Sequence, residues 1–480
     1  MEDHAEISAA PADLEQRFAA QRAAQAAQGD PPAQLRIDRI ERCIALLVDH
    51  ARELCEAVAS DFGQRPPEVT RALDILPAVL ALKHARAHLR RWMRPRRSAR
   101  NMPLLLPGTR ARVVTQPLGV VGIVSPWNIP IGLCFGPLAS ALAAGNRCLV
   151  KPSELTPATA SLLQRRVSRA FDATELAFVT GGPEVAARFS ALPFDHLLFT
   201  GSTGVGRRVM SAAAQNLVPV TLELGGKCPA IVGRSANLAR SADRILIGKL
   251  VNAGQVCLAP DHVYLPRESV EAFVDLARDW AARCYPRLPA DPGYTAIVNL
   301  QHYQRLEALL ADASAKGARI VPLGAPANGA CRERRLFTPA LVLDARDDMR
   351  IMQEEIFGPL LPLLAYDYAG EAVAEVSRRP HPLALYYFGR DAAERRHVLE
   401  RTRSGGVTID DVALHYLAAE LPFGGVGESG MGAYHGEHGF LRFSHERAVL
   451  QQTSIDFAGL TGLRPPYGKR LALSLKSLIR

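Results

Sequence analysis

Val120-Val121-Gly122-Ile123-Val124 is a continuous apolar run, closed by Ser125-Pro126-Trp127-Asn128. Apolar residues in succession, without polar alternation, predict a strand buried on both faces. Working outward, the pattern repeats. Gly136 to Ala144 reads as a helix, and Arg147-Cys148-Leu149-Val150 as a second strand. A helix over 157–170, a strand at 177–180, a helix over 183–190 and a strand at 196–200 continue the alternation. Val218-Pro219-Val220-Thr221-Leu222-Glu223 reads as one more strand, running into Gly225-Gly226. Strand–helix–strand alternation with short loops predicts a parallel, doubly wound sheet, and ligands of such sheets sit at the carboxyl ends of the strands.

The flanks extend this frame. Residues 1–33, rich in Ala, Gln and Pro, read as a helix and a loose link. Apolar residues at helical spacing fill 34–61, and a further helical region over 67–92 ends before Pro95. Residues 110–118 read as a strand of mixed polarity. Beyond 226, segments at 237–257, 262–265, 269–283, 303–316, 339–343 and 381–389 alternate again, predicting a second α/β unit to about 440. The 480 residues suffice for two or three domains, and 48% hydrophobic with 22% charged residues is an ordinary globular balance.

Several classes are disfavoured. No apolar run approaches the length of a transmembrane helix, and the N-terminus lacks a basic-then-apolar signal pattern, so a cytosolic location is expected. The eight cysteines are scattered and form no C-x-x-C pair, which fits free thiols and neither a disulfide frame nor a zinc site. His435-Gly436-Glu437-His438 lacks the i,i+4 zinc spacing, and no metal is expected. Much of the net charge of +9 sits in Arg90, Arg91, Arg94, Arg96, Arg97 and Arg100. With only Trp92 interleaved, this run reads as a solvated helix end and linker, and no nucleic-acid partner is expected.

The chemistry concentrates in a few loops. Cys257 ends Asn252-Ala253-Gly254-Gln255-Val256-Cys257, and Glu223 sits in Leu222-Glu223-Leu224-Gly225-Gly226. A thiolate can attack a carbonyl carbon, and a nearby carboxylate can activate water. Asn128, at a strand end, is either an oxyanion donor or a turn residue. Gly201-Ser202-Thr203-Gly204-Val205-Gly206 opens a helix directly after a strand. It is neither G-x-G-x-x-G nor a P-loop, yet the helix N-terminus can face a pyrophosphate; the alternative is a tight turn. Lys151-Pro152-Ser153-Glu154 suits ribose hydroxyls or a surface ion pair. Glu355 and Phe357, in Glu354-Glu355-Ile356-Phe357-Gly358-Pro359, can hold a ribose and flank a nicotinamide, or can be a helix end with a core aromatic. The Gly-rich Pro422 to Gly432 either shapes a substrate mouth or lets backbones approach closely.

In this order these stretches resemble the aldehyde dehydrogenase superfamily, from about residue 35 to 470. The resemblance rests on Ser125-Pro126-Trp127-Asn128, Lys151-Pro152-Ser153-Glu154, Phe199 to Gly206, Leu222 to Lys227, Gly254-Gln255-Val256-Cys257 and Glu355 to Pro359. Ala259-Pro260-Asp261, Tyr434-His435-Gly436, Phe443-Ser444-His445 and Pro465 to Lys469 are similar to the class-three-like branch, which holds fatty-aldehyde and coniferyl-aldehyde dehydrogenases. Residues 1–33 have no counterpart in it.

The resemblance implies a Rossmann-like NAD(P)-binding domain (1–108 and 119–225), an α/β catalytic domain (226–440), and oligomerisation arms (109–118 and 441–480) of a homodimer. It implies Cys257 as nucleophile, Asn128 with the Cys257 N–H as oxyanion holder, and Glu223 as the base that deacylates a thioester. Trp127, Lys151, Glu154, Gly201, Ser202, Gly206, Leu224, Glu355 and Phe357 are the implied cofactor residues. Glu154 favours NAD, though a movable Glu also tolerates the NADP phosphate. The implied substrate is an aromatic or enal aldehyde of the coniferyl type, or a medium- to long-chain aliphatic one. Glu223 argues against release of the acyl group to coenzyme A. A non-catalytic scaffold would have little reason to keep Cys257, Glu223 and Asn128 together. Val256, His262 and Asp410 replace the usual Thr, Tyr and Asn, and are expected on the substrate side. Leu471, Leu475 and Leu478 beside basic residues permit either a membrane-surface helix or a helix packed on a partner subunit.

Overall fold

The computed structural model describes residues 11–97 and 109–479. Expectations for residues 1–10, Arg100, the remainder of 98–108, the Leu478 side chain and Arg480 lie outside the described residues. The apolar run Val120–Val124 is a fully buried strand, central in a six-stranded sheet. Its parallel neighbours are Arg147–Lys151 on one side and His196–Gly201 on the other. Leu176–Phe178 pairs beyond the former, and Val220–Leu224 beyond the latter. The helices Pro157–Ala170 and Pro183–Ser190 match their expected bounds. The parallel registers put Lys151 beside Val124 and Gly201 beside Leu224, so the loops after four strands emerge at one edge.

A seven-stranded sheet forms from residues 229–409. Its central strands, Pro229–Val232 and His262–Pro266, run parallel, and the helices Leu238–Leu250 and Val270–Cys284 follow them in the chain. A three-stranded antiparallel sheet joins Arg96–Arg97, Arg110–Pro117 and Ser444–Gln451. The stretch 226–440 is not confined to the second sheet: Gly430–Met431 returns to pair antiparallel with Val220–Leu224, opposing Gly430 to Glu223.

The expected N-terminal helix is present. Residues 11–28 form a helix that is part of the first unit. Leu14 and Phe18 are buried in a cluster with Val120, Leu149 and Phe194, and Gln21 donates to the Cys148 and Ala173 carbonyls at 3.0 and 2.9 Å. The stretch 34–61 is two helices, Ala33–Asp49 and Ala51–Phe62. Within 67–92 one turn, Arg71–Ile75, is π-helical, a device often found at functional sites. The tail does form a helix, Lys469–Leu478, with Leu473 and Leu475 exposed. Among the described residues, no helix is long and apolar enough to cross a membrane.

Burial holds several histidines neutral. It pushes His196, His262, His302 and His415 down to about 4, and His435 to about 3. The unfolded chain takes up protons near pH 6.5 that the folded chain refuses, so this stability is complete above about 6.5 and is lost as the pH falls toward 4. The buried acids Glu223 and Glu355, raised instead, pull the other way, so the melting temperature should fall only below about pH 6.5, where histidine protonation outweighs them, and down to pH 5. A flat profile in differential scanning fluorimetry over that interval would contradict it.

Candidate active site

Cys257 follows an unusual backbone. Asn252 and Ala253 both have φ of 52°, and Gly254 has φ of 74°. A Cβ on Gly254 would lie 2.3 Å from the Gly358 carbonyl oxygen, so glycine is required there for space as well as conformation. Left-handed residues in sequence cost energy and persist only where their surroundings over-determine them. Gln255 does much of this. Fully buried, it donates from Nε2 to the carbonyls of Asn252 and Ala296, both at 3.0 Å, and accepts the Val298 N–H at 3.0 Å. From below, the Cys228 thiol donates to the Cys257 carbonyl at 3.3 Å, and Tyr386 Oη to that of Leu258 at 2.6 Å.

Asn128 approaches the same loop from the first sheet. Its Nδ2 donates to the Gln255 carbonyl at 3.1 Å, and its own carbonyl accepts from Asn252 Nδ2 at 3.1 Å and Arg65 at 3.2 Å. Arg65 is fully buried against Asp74 at 2.7 Å. Asp74, on the π-helical turn, also accepts the Ile131 and Gly132 N–H groups at the start of the helix Gly132–Ala144. A buried ion pair thus supports the loop that carries Asn128.

Glu223 is 2% exposed, and neither carboxylate oxygen has a hydrogen-bond partner among the described residues. Burial raises its pKa well above the usual carboxylate value. The Cys257 thiol is pushed up to about 12, by burial first and then by the charges of Glu355 and Glu223. Glu355 is itself raised to about 8, by burial and by Asp261. Glu355 crowds Gly225, where a Cβ would meet its Oε2 at 2.0 Å. Phe357, at φ 47°, sets its ring edge-on to Trp127, centroids 5.3 Å apart. Perturbed acids gathered in one concavity mark a functional site.

A cavity of about 640 Å³ joins these groups. Trp127, Asn128, Gly201, Ser202, Glu223, Leu224, Cys257, Glu355 and Phe357 all line it. Lys151, Glu154 and Gly206 do not. Lys151 is buried and bonds Glu154 at 2.6 Å at the end of its strand, while Gly206 lets its helix close on Leu224, where a Cβ would meet Cδ2 at 2.7 Å. The glycine-rich loop belongs to the second of its two readings: Gly425 and Gly430 press on the Ser429 and Leu222 carbonyls, and only Phe423 of 422–432 lines the cavity. Of the three substituted positions, Val256 lines the cavity. The other two do not line it. His262 is buried beside Asp261 with both ring nitrogens unpartnered, and Asp410 accepts the Gly389 N–H at 3.1 Å, leaving Asp411 at the wall. The sequence alone assigned no role to Gln255, Asp74 or Tyr416, although Gln255 lies in the cysteine motif, and Tyr434 stood out only through the class-three-like resemblance.

A thiol, an unpartnered buried carboxylate and an amide in one cleft at the strand ends of an α/β sheet can form and hydrolyse an acyl-thioester. The Aldehyde dehydrogenase family model matches residues 4–449, and the chain belongs to that family of oxidoreductases. It is 49% identical over 449 residues to the coniferyl aldehyde dehydrogenase of Pseudomonas sp. (strain HR199 / DSM 7063), covering 92% of each chain. It is 37% identical to the 4,4'-diaponeurosporen-aldehyde dehydrogenase of Staphylococcus aureus, over 95% of this chain and 96% of that one. A solved structure of Staphylococcus aureus AldH, in a substrate-bound state, superposes with a TM-score of 0.90 at 36% identity, covering 97% of this chain and 99% of that one. The match beginning at residue 4 extends the likeness into the N-terminal region that the motifs left unassigned.

Proposed function

We propose that the chain oxidises an aldehyde to its carboxylic acid with a nicotinamide cofactor, through a thioester on Cys257 that is hydrolysed with Glu223 as base. The observation that carries this reading is that Cys257, Asn128 and an unpartnered Glu223 carboxylate share one cavity. NAD is the favoured cofactor, since a structural neighbour from Mycobacterium tuberculosis, at 29% identity and a TM-score of 0.83, is complexed with NAD+. The residues fit such a group. The helix Thr203–Ala214, N-capped by Ser202, starts at the cavity wall, where its N-terminus would serve as an anion site, and Glu355 has its acceptors beside Gly225. The Lys151–Glu154 pair lies at the neighbouring strand end, where ribose hydroxyls would be held.

When bound, the nicotinamide supplies the hydride acceptor. Cys257 Sγ attacks the carbonyl carbon, its proton passing to solvent in the open cavity as the S–C bond forms and the carbonyl π bond breaks to the oxyanion. The oxyanion is met by the Cys257 N–H and by Asn128 Nδ2, which turns from the Gln255 carbonyl to donate to it. The hemithioacetal collapses to the thioester, and Glu223 takes a proton from the water that hydrolyses it. The apolar wall formed by Ile129, Val251, Val256, Leu414 and Phe423 suits an aromatic enal or an aliphatic aldehyde. The three-stranded sheet and the tail, with Leu450 and Leu473 exposed, are the proposed arms of a homodimer. The enzyme should reduce NAD with coniferyl-type or long-chain aldehydes and release free acid whether or not coenzyme A is supplied. Acyl-CoA as the main product would overturn the hydrolytic assignment.

A further inference from the structure

Away from the cavity, His84 and His88 lie one turn apart on the helix Leu76–Trp92. Residues at i and i+4 share a helix face. Glu420, from the turn after the cavity-lining Leu417, reaches the same spot. One ligand atom from each of the three lies within 4.8 Å of the others. The geometry points to a second site: a divalent transition-metal site, of the Zn²⁺ type, formed by His84, His88 and Glu420.

Two further observations favour it. His88 Nδ1 lies 2.9 Å from the His84 carbonyl oxygen. As the donor, Nδ1 fixes the tautomer that leaves Nε2 as a free acceptor, the arrangement found for metal-bound imidazoles. Behind them lies His435, 7% exposed, whose Nδ1 has no hydrogen-bond partner. It lines a small cavity together with His84, Tyr416 and Gly436. Two imidazoles and a carboxylate leave a fourth position for water, a donor set that suits Zn²⁺. Tetrahedral donors at about 2.1 Å from zinc are roughly 3.4 Å apart, so small side-chain rotations complete the site. A bound ion would tie the helix to the 414–421 segment, whose Leu414, Tyr416 and Leu417 form one wall of the substrate cavity.

Zn²⁺ titration of tag-free, full-length protein by calorimetry should give one site per chain. His84→Ala, His88→Ala and Glu420→Gln should each weaken it by about 10- to 100-fold, the scale of disturbed metal shells. Trp92 stacks on His88 and lies near His84, centroids 5.8 and 5.7 Å away, so Ni²⁺ should quench its fluorescence. Trp92→Phe should remove that quenching. Co²⁺ should report nitrogen and oxygen ligands, without the near-ultraviolet charge-transfer band of a thiolate. Unchanged Zn²⁺ affinity in any of the three ligand variants, quenching that survives Trp92→Phe, or a cobalt–thiolate band that reports cysteine binding instead would each overturn the proposal.

Discussion

Cys257→Ala should abolish aldehyde oxidation while leaving the fold and cofactor binding intact. Turnover should fall by on the order of 10⁴-fold or more, the scale seen when a catalytic nucleophile is removed. The magnitude follows from the lining of the cavity. The rest of its lining offers hydroxyls, the His302 imidazole and carboxylates, and among the described residues no thiol but Cys257 lines it. Cys228, the nearest spare, is fully buried, and its Sγ is engaged with the Cys257 carbonyl. The resting sulfur is protonated, since its pKa stands at about 12. Alkylation of Cys257 by iodoacetamide, read by peptide mapping against the exposed Cys284 as internal control, should therefore be slow in the free enzyme. A variant that kept a tenth of wild-type turnover would remove Cys257 from the chemistry.

Glu223→Gln should separate the two halves of the reaction. Acylation does not need the carboxylate, so a first-turnover burst of reduced cofactor should remain. Steady-state turnover should drop by roughly 10²- to 10⁴-fold, the contribution of a positioned base. The pH profile carries the signature. Burial raises the Glu223 pKa, so below that pKa the side chain is protonated and cannot accept from water. Turnover should rise with pH along a limb displaced above the ordinary carboxylate range, and the glutamine variant should lose that limb. Normal steady-state turnover in the variant would assign deacylation elsewhere, with Glu355, raised to about 8, the next acid along the cavity.

What the sequence disclosed and what it withheld divide along physical lines. Val120–Val124 and His196–Gly201 were legible because strands buried on both faces leave continuous apolar runs. Cys257 and Glu223, which line one cavity with Asn128, were singled out by a thiol and a carboxylate in glycine-containing loops, whereas Asn128 stood out only through the family resemblance. The left-handed run Asn252–Gly254 was not, since only Gly254 announces it and Asn252 and Ala253 are held there by tertiary contacts. Gly430–Met431 is too short to carry a period, and the helix Pro11–Gln28 buries only a narrow face, so its polar composition did not show which side chains dock on the first sheet. The His84-x-x-x-His88 spacing was present in the sequence, but its third member comes from 332 positions beyond His88, where nothing local points to it.

The antiparallel pairing of Gly430 with Glu223 has a bearing on synthesis. The strand that carries the proposed base is bordered on one side by residues made early, His196–Gly201, and on the other by a strand made some two hundred residues later. Until that late strand arrives, Val220–Leu224 is an open sheet edge, able to pair with a neighbouring nascent chain. The Ser429 carbonyl, which accepts the Leu224 N–H at 3.0 Å, reaches the sheet at the same moment. Closing the edge and finishing the site are thus one event: a chain stopped short of Gly430 is at once inactive and prone to self-association.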